Sequence, residues 1–266
     1  MLGAIIGDIV GSRFEWHNIK SKDFDFFHER CRVTDDSVLS LAVCEALCQF
    51  TGDYTKLGAD VTKSLHTIGN RYPNAGYGAK FRGWLYADNP KPYNSLGNGA
   101  AMRVSGCGYV ADSIPEVKRI AQIVTGVTHN HPEGLKAGEA TAVGVLLARQ
   151  GKSMAEIKAA LLEYYLVNFT LDEIRPTYKF DVTSQGSMPY ALEAFFESTS
   201  FEDAIRNAIS IGGDSDTLGA ITGGIAEAYY GIKESMRAEA LSYLPTDLRE
   251  IVQKFEEKYP PKIIKG

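Results

Sequence analysis

The sequence predicts an all-α protein, and three observations predict it. Most of the chain repeats its apolar residues at the helical period. No stretch shows a convincing two-residue alternation of the kind a half-buried strand needs. Helix-start signatures, a Ser or Thr followed three residues later by an acid, recur along the chain. About ten or more helices joined by long irregular loops are expected, in one domain over residues 1–266, because no low-complexity tract or linker divides the chain.

The elements follow in order. The N-terminal helix carries small residues every four positions, Gly3, Gly7 and Gly11, a spacing that puts them on one face where another backbone can approach. Ser37 to Phe50 has apolar residues at helical spacing. Tyr72 to Asn98 is the longest loop region, rich in Gly, Asn, Pro and Tyr, with a short helix expected at Ala79 to Tyr86; loops of that length are usually functional. Val117 to Val127 and Leu135 to Arg149 are helical, the latter with Pro132 at its first position. Ser153 with Glu156 forms a capping box, and Thr170 with Glu173 repeats it ahead of a short helix. Ser187 before Pro189 reads as the start of the next helix, and Ser200 with Asp203 opens another. Leu218 to Tyr230 is rich in small residues, Gly219 and Gly223 among them, so it is expected to pack closely on a second helix. Thr246 starts the last helix, which runs to about Tyr259 and is stopped by Pro260 and Pro261.

Composition excludes several classes. The 44% hydrophobic and 23% charged content is ordinary for a folded protein and excludes wholesale disorder. Lys and Arg number 28 against 33 Asp and Glu, a net charge of −5, which argues against nucleic-acid binding by broad phosphate neutralisation. The four cysteines form no C-x-x-C pair and read as buried thiols in a reducing compartment. The N-terminus has no basic segment, Asp8 interrupts its apolar run, and Ala140 to Ala148 is too short to span a bilayer. A soluble cytoplasmic protein with no membrane association is expected.

Two segments carry the chemistry: Thr34-Asp35-Asp36-Ser37 and Asp214-Ser215-Asp216-Thr217, each just before an apolar helix. Either alone serves as a helix N-cap, since Asp, Ser and Thr are preferred there and negative charge suits that end. Capping needs only one such residue, and adjacent carboxylates repel. A hard divalent cation gives the second carboxylate a reason, because it takes carboxylate, hydroxyl and carbonyl oxygens. Gly212-Gly213 allows a tight turn before the second cluster. No zinc-type spacing, P-loop or nucleophile elbow competes. Gly97-Asn98-Gly99-Ala100-Ala101-Met102-Arg103 is a glycine-rich turn leading into a helix, either a plain helix start or a set of free N–H groups for a diphosphate. Thr128-His129-Asn130-His131-Pro132-Glu133 holds two of the five histidines, either a capping loop or part of a site. Glu15, between Phe14 and Trp16, is either a solvated surface acid or a carboxyl in a partly apolar pocket with a raised pKa.

Taken together, GAIIGDIVGSRFEW, TDDS, GNGAAMR, THNHPEG and GGDSDTLGAITGGIAEAYYG, in this order over most of the chain, resemble the ADP-ribosylglycohydrolase family, which includes the dinitrogenase reductase-activating glycohydrolases. The resemblance implies an orthogonal helical bundle with a central cleft holding two Mg²⁺ or Mn²⁺ ions. It implies Thr34, Asp35, Asp36, Asp214, Asp216 and Thr217 as metal ligands, and Glu15, or a cluster carboxylate such as Asp36, as catalytic acid or base. Asn98, Gly99, Ala100, Ala101 and Met102 would receive the diphosphate and distal ribose, His129 would lie near the phosphates, and Ser215 would touch the substrate. Tyr77, Phe81, Trp84 and Tyr93 are candidates to stack on adenine. The implied reaction hydrolyses the C1″ bond between ADP-ribose and an acceptor, either a protein side chain such as arginine or another ADP-ribose conjugate. The competing readings are a dimetal hydrolase acting on another nucleotide and a non-catalytic ADP-ribose-binding module.

Overall fold

The computed structural model describes residues 1–264; the last two residues of the domain expected over 1–266 lie outside the described residues. In chain order the elements are α1 (Leu2–Gly11), α2 (Asp35–Gln49), α3 (Tyr54–Gly69), α4 (Ala79–Leu85), α5 (Gly99–Met102), α6 (Cys107–Val110), α7 (Ile114–Gly126), α8 (Pro132–Arg149), α9 (Met154–Leu162), α10 (Leu171–Ile174), α11 (Ser184–Phe196), α12 (Phe201–Ser210), α13 (Ser215–Tyr230), β1 (Ile232–Lys233), α14 (Glu234–Tyr243), α15 (Thr246–Lys258) and β2 (Ile263–Ile264). The strands are two residues each and pair in parallel, Ile232 with Ile263, so the all-α class stands.

All ten residues of α1 are buried. Its glycine row meets the small-residue face of α13 running the other way. A Cβ on Gly3 would fall 2.3 Å from the Gly223 carbonyl oxygen, one on Gly7 2.0 Å from that of Gly219, and one on Gly11 2.4 Å from that of Ser215. No side chain fits these spaces, so glycine here sets the helix spacing and offsets its helix cost of about 1 kcal/mol each through close packing. The helices α8, α11 and α12 pack around α13, while α2 packs on α3 and α15. Because α1 and α13 are antiparallel, the C-terminal end of the first lies beside the N-terminal end of the second. That geometry builds the site.

Several local expectations need correction. The clusters were expected ahead of their helices; both instead form the first turn, α2 starting at Asp35 and α13 at Ser215. The start expected at Ser187 lies three residues too late. Thr183 is the cap of α11, its hydroxyl accepting from Gly186 N–H at 3.0 Å, which puts Pro189 inside the helix. An isolated pairing of Thr183 with Gly97 fixes the chain there, and Pro189 inside the helix forfeits one backbone hydrogen bond. Three helices, α3, α6 and α14, were not read from the sequence, although Asp53 caps α3 through the Thr55 N–H at 3.0 Å and Leu57, Val61, Leu65 and Ile68 repeat at helical spacing. Both predicted capping boxes are present, at Ser153 and Thr170. All four cysteines are free thiols. Among the described residues no helix is long and apolar enough to cross a membrane.

Candidate active site

Asp8, near the end of α1, ties the first cluster in place. Its Oδ2 accepts from the N–H groups of Thr34 at 3.0 Å and Ser37 at 3.1 Å and from the Ser37 hydroxyl, and its Oδ1 accepts from the Thr34 hydroxyl at 2.6 Å. One buried carboxylate thus satisfies orphan donors at the start of α2 from another helix. Thr34 also caps α2 directly, accepting from Asp36 N–H at 3.3 Å. The second cluster is held from its other side. Gly212 and Gly213 have φ of +72° and +80°, which only glycine adopts without strain. Asn18 clamps Gly213, donating to its carbonyl at 2.9 Å and accepting from its N–H at 2.8 Å. Lys20 donates to the carbonyls of Ile211 and Tyr178.

Three helix ends therefore bring six carboxyl groups together. Asp8, Asp36 and Asp216 offer oxygens within 4.8 Å of one another, and so do Glu15, Asp214 and Asp216, so Asp216 belongs to both groups. Asp35 lies beside them on the same cavity, with its carboxylate against Gly76. Thr217 donates to Asp36 Oδ2 at 3.3 Å, and Asn98 donates to Asp214 Oδ2 at 2.7 Å. Burial pushes the carboxyls of Asp8, Asp36, Asp214 and Asp216 upward, and their neighbours' charges push Asp36 and Asp216 further. Asp35 rises to about 7, from burial first and the Asp8 charge second. Glu15, half-buried, is raised by burial and then by Asp214. Asp36 Oδ1 is buried without a hydrogen-bond partner among the described residues. The donor set is all oxygen, crowded and short of positive charge, which is what a hard divalent cation fits. The acidic residues are arranged to hold a metal ion.

Beside the carboxylates lies a cavity of about 430 Å³, within the range of small-molecule sites. Glu15, Asp35, Asp36, Asp214, Asp216 and Thr217 line one part of it, and Asn98, Gly99, Met102 and His129 another. Ala100 and Ala101 are fully buried, as is Ser215, whose hydroxyl turns back to the Gly213 carbonyl at 3.4 Å. The loop offers fewer free donors than its glycines suggest. The N–H groups of Asn98, Ala100, Ala101 and Met102 bond to backbone carbonyls, and only that of Gly99 among these five residues has no partner among the described residues. The two histidines separate. His131 caps α8, accepting from Glu133 N–H at 3.1 Å, while His129 is buried against the cavity. Of the four aromatic candidates, Phe81 and Tyr93 line the cavity, and Tyr77 and Trp84 pack in the core. Trp16 and Phe180 stack at 5.2 Å on the cavity's rim, an aromatic pair the sequence reading did not single out. The sequence reading also missed Asp8, although a lone acid inside a wholly apolar helix is itself a signal.

The sequence profile of the ADP-ribosylglycohydrolase family matches residues 1–262. The human ADP-ribosylhydrolase ARH3 is 25% identical, over 93% of this chain and 90% of its own. The ADP-ribosyl-dinitrogen reductase glycohydrolase of Rhodospirillum rubrum is 26% identical, over 76% of this chain and 70% of its own. A solved structure described as an ADP-ribosylglycohydrolase-related protein complex superposes with a TM-score of 0.69 at 23% identity, covering 96% of this chain and 95% of that one, which shows a shared fold.

Proposed function

The chain belongs to the ADP-ribosylglycohydrolase family, and from that premise we propose that it hydrolyses the C1″ bond between ADP-ribose and an acceptor in a reaction that depends on two Mg²⁺ or Mn²⁺ ions. The observation that carries the metal dependence is the pair of three-carboxylate groups sharing Asp216, with an unpartnered oxygen on Asp36. Thr34, Asp35, Asp36, Asp214, Asp216 and Thr217 would hold the ions. Bound there, hard cations would neutralise the carboxylates and lower the pKa of neighbouring water.

The chain's own residues do the rest. Glu15 follows α1 on a loop and is the one half-buried member of its carboxylate group, so it is the acid or base free to move a proton to or from the scissile bond. Asn98 orients Asp214 through its amide. Gly99 N–H and His129 face the diphosphate, and Phe81 or Tyr93 stacks on adenine. Enclosing the sugar in the cavity limits water to the attacking molecule and fixes the reacting atoms near one another. The acceptor is an ADP-ribosylated protein side chain, as the names of the relatives ARH3 and the dinitrogen reductase glycohydrolase support, or a small ADP-ribose conjugate.

The test is release of free ADP-ribose, followed by chromatography, from ADP-ribosyl-arginine protein, ADP-ribosyl-serine peptide and an O-acyl ADP-ribose. Release with Mg²⁺ or Mn²⁺ that EDTA abolishes is expected from at least one. Release of phosphate or AMP instead would point to a hydrolase of another nucleotide. Binding of ADP-ribose with no release from any conjugate would leave a binding module.

A further inference from the structure

A guanidinium with no salt bridge among the described residues stands behind the cavity. Arg103 is fully buried, and its Nε and Nη1 have no hydrogen-bond partner among the described residues. Its Nη2 donates to the Thr128 hydroxyl and lies 3.5 Å from His129 Nδ1. The Thr128 hydroxyl oxygen is in turn 2.7 Å from the same Nδ1. Counting protons assigns the roles. A guanidinium has only donors. Thr128 Oγ1 therefore accepts from Arg103, which leaves one lone pair and its single proton for its other contacts. A proton on Nδ1 could reach the second Thr128 lone pair but would face the Arg103 donor, whereas a bare Nδ1 accepts from both, so the geometry favours Nδ1 as the acceptor with the ring proton on Nε2. That nitrogen points to the glycine turn: a Cβ on Gly99 would stand 3.2 Å from it and one on Gly97 3.5 Å. The same turn carries the unpartnered Gly99 N–H. Tyr93 also packs on the ring, tilted against it at 5.8 Å between centroids.

We propose that Arg103 and Thr128 are positioning residues that lock His129 as the neutral Nε2–H tautomer, a hydrogen-bond donor for an anionic substrate oxygen with the buried charge of Arg103 behind it. The proposal rests on the reading above, in which that anion is the diphosphate of ADP-ribose. Burial and the Arg103 charge also hold the His129 imidazole well below its ordinary pKa, consistent with a ring that stays neutral.

Long-range ¹H–¹⁵N spectra of the full chain labelled at the histidine ring nitrogens report the tautomer, with the His129 signals among the five histidines identified by their loss in His129→Asn. The expected result is an Nε2–H pattern that does not move between about pH 5 and pH 8. An Nδ1–H pattern, or a ring that titrates like an ordinary histidine, overturns the proposal. Thr128→Ser keeps the hydroxyl and should keep the pattern. Thr128→Val should give a mixture of tautomers and bind ADP-ribose about tenfold more weakly by calorimetry; an unchanged Nε2–H pattern there overturns the role of Thr128. Should the valine variant fail to fold, the native and serine spectra decide. If the native protein shows the Nε2–H pattern but binds no ADP-ribose, the functional reading and the diphosphate assignment fall while the lock stands.

Discussion

At the scale of single residues, the site trades stability for charge density. Asp216 is buried with Asp36, Asp214, Glu15 and Asp8 around it, and each of these disfavours its ionised form. No salt bridge to lysine or arginine relieves Asp216 among the described residues, and the Asn98 amide donates to Asp214 and Ser187 rather than to Asp216. A carboxylate placed there against its own electrostatics is a functional commitment of the kind that lowers stability at active sites. Asp216→Asn keeps the shape and removes the charge. In EDTA the variant should melt higher than the native chain, by about 2–4 °C for each kcal/mol of repulsion relieved. With Mg²⁺ in excess the order should reverse, because only the native chain retains a full set of ligands and gains stability by binding. Differential scanning calorimetry with and without the cation measures both. A variant that melts lower than the native chain in EDTA would mean that Asp216 stabilises the metal-free fold, against this account.

At the scale of elements, the contact between α1 and α13 decides whether the site exists at all, because it brings Asp8 and Glu15 to Asp214 and Asp216. Gly7 sits at its closest point, where a methyl group would meet the Gly219 carbonyl at 2.0 Å. Gly7→Ala should force the helices apart and destabilise the protein by roughly 3 kcal/mol or more, as overpacking against backbone has no soft neighbour to yield. Gly58, in α3, is the control. The nearest atom to a Cβ there is Ile123 Cγ2 at 3.6 Å, an ordinary contact, so Gly58→Ala should stabilise by up to about 1 kcal/mol through helix propensity. Urea denaturation of the two variants separates packing from propensity; equal effects would refute the tight crossing. The same contact shows what was legible in the sequence. The glycine rows were readable because four-residue spacing is local information, and both acidic clusters were readable because their carboxylates fall within three positions of the chain. Asp8 was not, because its partners Thr34 and Ser37 lie 26 and 29 residues away and only the fold brings them together. The start of α11 was misplaced for the same reason, since the pairing of Thr183 with Gly97 is a tertiary contact. The number of free N–H groups in the Gly97–Met102 turn was also hidden, since the carbonyl of Val182 takes the one from Asn98.

At the scale of the whole molecule, the six carboxyl groups tie stability to pH and to metal in opposite directions. In the metal-free protein Asp35 has its pKa raised from 3.8 to about 7, and Asp36 and Asp216 are also raised well above their ordinary value. A carboxyl with a higher pKa folded than unfolded binds more protons in the folded state between those two values. Stability therefore falls as pH rises from about 4 to about 7. His129 works the other way: its folded pKa is depressed, so it adds stability as pH rises through the unfolded histidine value near 6.5. Cation binding requires ionised carboxylates and so competes with these protons. The stabilisation by Mg²⁺ should then grow across the same window in which the carboxyls alone lose stability. The difference between melting curves in Mg²⁺ and in EDTA isolates this effect, because the His129 contribution is common to both. That difference should be small near pH 5 and reach roughly 5–10 °C near pH 8 when the cation is about a hundredfold above its dissociation constant. A difference that stays constant with pH would mean that the cation does not displace protons from these carboxyl groups, and the placement of the metal among them would fail with it.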